Sequence, residues 1–298
     1  MAELTNTVAG ACPTLESIAA YLDGRLTDRE RADVTEHLAS CEDCYVLFSE
    51  SAQIHATEGA VSKGAAGWRG GFAGSRFAWS TAGAALATAA AVVLMIGTGG
   101  LTRWRQGNAE LQALVAAVGT DRPIEARLTG GFAYGPMRGS VRSGAPLAQM
   151  LSPDLRLAAA SIEKTLAAHP TADSLHVFGV ASLIAGDIDR AITLLEQAAD
   201  QSSPDARTVS DLSAAYLARA ARDNSQQDLM KALSAADRAV QADDRLAEAW
   251  FNRADALEGL SLVAEARDAW RDYLKVDGQS GWATEARRRL ERLDSKGR

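Results

Sequence analysis

Ala247-Glu-Ala-Trp-Phe-Asn-Arg-Ala-Asp-Ala-Leu257, followed after a short turn by Ala266-Arg-Asp-Ala-Trp-Arg-Asp-Tyr273, is the stretch that decides the fold. Small Ala residues at helical spacing let two helices pack closely, and Trp250, Trp270 and Tyr273 fill the gaps of a neighbour. The same arrangement occurs upstream, in Leu175-His-Val-Phe-Gly179 leading to Ala185-Gly-Asp-Ile-Asp-Arg-Ala-Ile192, with Phe178, Gly179, Ala191, Leu195 and Ala198 in register. Leu212, Tyr216, Ala232 and Ala239 form a middle copy, stretched by about seven residues at Asp223–Asp228. Each helix pair then contacts only the next, which predicts an elongated α-solenoid over residues 152–298. Ser152-Pro153 opens it in a favoured cap-then-proline order. Ala283–Leu293, with Arg287, Arg288 and Arg289, reads as a polar capping helix. Such arrays take a protein or peptide along a concave face, or serve as inert spacers. His176 reads as a packing residue.

At 298 residues there is room for two domains. The chain is 47% apolar but only 6% aromatic, with Ala supplying much of the filling, which favours an all-α fold. A formal net charge of -7 leaves no broad basic surface, so direct nucleic-acid binding is not expected. The first 76 residues carry −5 of that charge, which suits a basic protein surface as partner.

Cys12, Cys41 and Cys44 are the only cysteines, and an odd, clustered set beside a histidine is a metal pattern rather than a disulfide framework. In His37-Leu-Ala-Ser-Cys41-Glu-Asp-Cys44, His37 and Cys41 lie one helical turn apart on a shared face. Cys44 follows one turn later, and Cys12, ahead of the first helix, supplies a fourth vertex. Three thiolates and an imidazole make a closed tetrahedral Zn2+ site of the structural kind, with no position left for a reactive water. Thr14 caps a helix carrying Ile18, Tyr21 and Leu22, which Asp23-Gly24 ends. Thr27 and Glu30 form a capping box ahead of Val34 and Leu38. A third helix starts near Glu42 and carries Val46, Leu47 and Ile54. Residues 1–56 are thus expected to be a small zinc-binding bundle whose folding depends on the metal. An unmetallated Cys/His bundle is the alternative.

Residues 57–76, rich in Gly, Ala and Ser, read as a flexible linker. Residues 77–102 carry no charge between Arg76 and Arg103, with Trp79 and Trp104 near the ends, and are long enough for a transmembrane helix. A buried Ala-rich helix is the alternative. Flanking positive charge does not orient the span, but reduced thiol ligands suit the cytosol and a cysteine-free remainder suits an oxidising compartment. The expectation is a single-pass protein of the bacterial inner membrane, N-terminus cytoplasmic and repeats extracytoplasmic. Residues 103–151 form a juxtamembrane and irregular region, in which Ala109–Val118 is helical and 119–150 holds a short strand or hairpin.

Two resemblances extend this reading. Cys12, Tyr21-Leu-Asp-Gly-Arg-Leu-Thr27 and His37-x3-Cys41-x2-Cys44 resemble the zinc-binding anti-sigma domain, over roughly residues 10–50. That resemblance implies a helical bundle that clamps an extracytoplasmic-function sigma factor, with Cys12, His37, Cys41 and Cys44 as zinc ligands and Tyr21 and Leu22 as core. Release would come by proteolysis of the span, or by oxidation pairing Cys12 with Cys41 or Cys44 once zinc is lost. Trp250, Ala254, Leu257, Ala266, Trp270 and Tyr273 resemble the tetratricopeptide repeat pattern. The expected function is a transmembrane anti-sigma factor whose repeats bind a protein or peptide signal. A membrane-anchored scaffold with a zinc docking module is the alternative. No Gly-rich phosphate loop, nucleophile elbow or paired carboxylates stand out, so an enzyme is not expected.

Overall fold

The computed structural model describes residues 12–58, 100–137, 152–200 and 205–296. Among them the protein is all-helical, with twelve α-helices and no strand beyond one isolated bridge between Arg122 and Met137. Three helices form a head: α1 Leu15–Leu22, α2 Asp28–Ser40 and α3 Glu42–Glu58. The capping signals act as expected. Thr14 accepts from the Ser17 N–H, and Thr27 and Glu30 make the full reciprocal box. Ile18, Tyr21, Val34, Leu38 and Phe48 are buried together, with Tyr21 edge-on to Phe48 at 5.5 Å. Among the described side chains of α3, Cys44 and Phe48 are buried while Val46 and Leu47 face outward, and the Ile54 side chain lies outside the described residues.

The remaining helices are α4 Gly100–Val118, α5 Pro153–Ala168, α6 Ala172–Ile184, α7 Ile188–Ala199, α8 Ala206–Asp223, α9 Gln226–Ala242, α10 Ala247–Gly259, α11 Val263–Val276 and α12 Gly281–Lys296. They stack as tandem hairpins, α6 on α7, α8 on α9 and α10 on α11, each packed against the next. Gly179 shows why small residues recur here: a Cβ at that position would sit 2.7 Å from the Leu195 side chain, so only glycine lets α6 and α7 approach this closely. The extra residues of the middle copy do not form a loop. They lengthen its helices, α8 to 18 residues and α9 to 17 against 13 and 12 in the first hairpin. The turn itself is short: Asn224 adopts a left-handed conformation and Ser225 caps α9. α12 is less polar than its four arginines suggest. It buries Trp282, Ala283, Ala286 and Leu293, and Arg289 is folded inward onto Asp255, Glu258 and Glu285.

Two expectations are corrected. No described helix is long and apolar enough to cross a membrane. Residues 59–99, which include the expected linker from 59 onward and most of the expected span, lie outside the described residues. Residues 100–102, assigned to its far end, are helical and belong to α4, which buries Leu111, Leu114 and Val118 against the array. The second correction is spatial. The head docks on the array through α2 against α9, and the fully buried Met230 of α9 completes the head core, with Leu260 and Leu262 beside it. The Tyr45 hydroxyl donates to Gln226 Oε1 at 3.2 Å across the same contact. A head and an array that share a core lie in one compartment, which overturns the inner-membrane layout with the two on opposite sides of a bilayer.

The segment between α4 and residue 137 is the other departure. Instead of a strand or hairpin, it threads without regular structure along α8, α10, α11 and α12, and Ala126, Leu128 and Phe132 join the main core.

Candidate metal centre

The break between α2 and α3 builds the site. Cys41 caps α2 in an extended conformation, and its N–H donates to the His37 carbonyl one turn back. α3 begins at the next residue, so Cys44 lies in its first turn beside Glu42 and Asp43. Cys12 approaches from the strand-like lead-in to α1, separated from the Thr14 cap by Pro13. One ligand atom from each of Cys12, His37, Cys41 and Cys44 lies within 4.8 Å of all the others. A tetrahedron with zinc bonds of 2.0–2.3 Å has edges of about 3.3–3.8 Å, so small side-chain rotations close the set.

Three observations test whether these residues fit a metal. His37 Nε2 is buried and has no hydrogen-bond partner, an arrangement that costs free energy in a domain this small unless something coordinates it. Burial pushes the Cys44 thiol up to about 12, with the neighbouring Cys12 and Cys41 adding to the rise. A thiolate there needs a cation at close range. The backbone N–H and thiol of Cys44 hold the Cys41 thiol below its ordinary value, as expected at the positive end of a helix. The donor set is soft and borderline, three sulfurs and an imidazole, and suits zinc. All four predicted site residues converge.

The head core supports this centre. Tyr21 is raised to about 12 by burial, and its hydroxyl pairs with Thr35 at 3.2 Å. The arrangement defines a compact helical domain of the Cys3His type, with its metal position closed by protein. Residues 13–45 match the family model described as Putative zinc-finger, which takes in His37, Cys41 and Cys44 and stops one residue short of Cys12. No curated protein matches the chain.

The sequence reading missed a second constellation. His176, Asp211 and Asn252 are fully or almost fully buried, one on the first helix of each hairpin. Polar residues recurring on faces that otherwise carry Ala, Leu and Phe were the available signal. The structure shows what they hold, as described below.

Proposed function

We propose that the protein is an anti-sigma factor whose zinc-held head captures an extracytoplasmic-function sigma factor. The observation that carries this reading is the convergence of Cys12 with His37, Cys41 and Cys44, the last three inside a segment matching a zinc-finger family. Four protein ligands close the coordination sphere, so the metal shapes a surface and the activity is binding rather than catalysis. Zinc is the cofactor, and the partner is a protein: the net charge of -7 does not suit a nucleic acid. α2 is covered by α9, whereas Leu15 on α1 and Val46 and Leu47 on α3 are 68%, 46% and 45% exposed, so α1 and α3 carry the available apolar contacts. The helical array supplies a second binding surface, for a protein or peptide segment.

The test is affinity capture with full-length protein from its native cell, with zinc measured on the same sample. A sigma factor recovered with the unaltered protein, and absent with His37→Ala, supports the reading; recovery of no sigma factor sinks it. A scaffold in which the zinc module bolts the chain together is the second reading. It is favoured by one observation, the docking of the head on α9 in the same chain. Capture of other proteins in unchanged amounts by the His37→Ala form would select it.

A further inference from the structure

The segment from Arg122 to Tyr134 is held by side chains of the array in the manner of a ligand. Asn252 of α10 grips the backbone of Arg127 at both ends: its Oδ1 accepts from the Arg127 N–H at 2.8 Å, and its Nδ2 donates to the Arg127 carbonyl at 2.9 Å. An amide placed this way satisfies the main chain of any residue, as a neighbouring strand would. Two residues on, Asp211 of α8 accepts from both the backbone N–H and the hydroxyl of Thr129, at 2.8 and 2.6 Å. His176 of α6 fixes that carboxylate from behind at 2.7 Å.

Charge recognition flanks these clamps. The Arg127 guanidinium donates to the Tyr273 hydroxyl and to Asp277, both at 2.7 Å, and stands 3.9 Å from Glu248. Arg122 donates to Glu285 at 2.5 Å and lies over the Trp282 ring. Carboxylates from α8, α10 and α12 and from the end of α11 thus converge on two arginines and a threonine. Asp211 keeps His176 and Glu285 keeps Arg289 as partners within the array, but Glu248 and Asp277 face the Arg127 guanidinium, so the acidic wall of the groove favours a cationic segment. A structural strap needs apolar filling, which Ala126, Leu128 and Phe132 provide, and partners for its backbone, which Asn252 and Asp211 supply; the grips on the Arg122, Arg127 and Thr129 side chains go beyond both. The polar set adds selection for residue type.

We infer that the face of the array formed by α8, α10, α12 and the end of α11 is a recognition groove for an irregular peptide segment of the pattern Arg-x4-Arg-x-Thr, and that residues 122–134 occupy it in cis. The ligand class is an arginine-bearing polypeptide with a hydroxyl residue two places after the second arginine. Partner binding requires displacement of the resident segment, which makes the groove self-inhibited. Tethering gives that segment an effective concentration in the millimolar range, so only a better-matched or abundant partner competes. This inference rests on the array being a binding surface and is independent of sigma-factor capture by the head.

The probe is a fluorescein-labelled synthetic peptide with the sequence of residues 121–135, followed by anisotropy on full-length protein. In the receptor, Arg127→Ala and Thr129→Val remove two of the three polar side-chain grips on the resident segment, sparing that of Arg122 on Glu285, and leave the groove intact. We expect saturable binding at least roughly tenfold tighter than to the unaltered chain, since removing the competitor raises the fraction of open groove. Adding Asn252→Ala should abolish it, and a scrambled peptide should not bind. Should the double variant not fold, Thr129→Val alone takes its place. On unaltered protein, unlabelled peptide at millimolar concentration should speed hydrogen exchange of the Arg127 and Thr129 amides several-fold. A folded receptor that binds no peptide, or exchange at Arg127 and Thr129 that peptide leaves unchanged, overturns the proposal and makes the segment a permanent strap. Sigma-factor capture by the same preparations reports on the head separately, so either reading can fail alone.

Discussion

Replacing Asn252 should destabilise the array far beyond what its size suggests. The side chain is fully buried and makes two bonds to the Arg127 backbone and one to the Ser210 carbonyl, at 2.8, 2.9 and 3.2 Å. Asn252→Ala leaves the Arg127 N–H and carbonyl without partners in a largely buried position. Each orphaned group costs about 1–3 kcal/mol, which gives roughly 3 kcal/mol for the pair once partial rehydration is allowed. For a domain of this size that corresponds to a fall in Tm of about 6–12 °C. Asn252→Asp sharpens the test, because it is almost isosteric. It keeps the acceptor for the Arg127 N–H but turns the donor into a second acceptor facing two carbonyls. We therefore expect Asn252→Asp to lose about as much as Asn252→Ala, although it leaves no cavity. Calorimetry and urea titration of the full chain measure both. A loss below about 1 kcal/mol for Asn252→Ala, or a neutral Asn252→Asp, would show that filling of space rather than the amide clamp holds the segment, and the reasoning fails.

Chelation should remove the metal and unfold the head while the array keeps its own melting transition, because zinc affinity is folding free energy for a bundle this small. Far-ultraviolet dichroism with zinc quantification checks this, and a head that stays folded without metal contradicts the assignment of His37, Cys41 and Cys44. Met230→Ala should loosen the head from the array by about 2–4 kcal/mol, since a fully buried side chain shared by both is truncated. Hydrogen exchange in α2 should rise in that variant, whereas Tyr45→Phe, which removes an exposed hydrogen bond, should change little. For acid stability the carboxyl to watch is Asp277. Burial would raise it, but the Ser280 hydroxyl and the Arg127 guanidinium outweigh burial and hold it well below the carboxylate range. A depressed carboxyl contributes stability that is present above its unfolded value, about 4, and is lost as pH falls through its folded value. The array should therefore weaken below about pH 4, and Asp277→Asn should flatten that limb of a pH–stability curve; an unchanged limb would remove Asp277 from the account.

What could be read in advance depended on how local the cause was. The metal ligands lie within 33 residues, with His37 in the last turn of α2, Cys41 at its cap and Cys44 in the first turn of α3, and the Thr27–Glu30 and Ser152-Pro153 caps act over three residues or fewer. Local physics determines such features, so a local pattern reveals them. The hairpins were legible for the same reason, since Gly179 against Leu195 is a contact within one repeat. Arg122, Arg127 and Thr129 reach partners 163, 125 and 82 positions away, in a stretch whose Gly-Gly pair and arginines look like an ordinary loop. Nothing in its own periodicity indicates where it goes. The head–array contact was hidden differently. Met230 reads as one more apolar residue of a repeat helix, and only the folded surfaces show that the array does not bury it alone. An uncharged run at 77–102 then invited an arrangement in which head and array never meet. The shared core formed by Ile18, Leu38 and Met230 rules that arrangement out, because water or lipid between the two bodies would leave a fully buried methionine exposed.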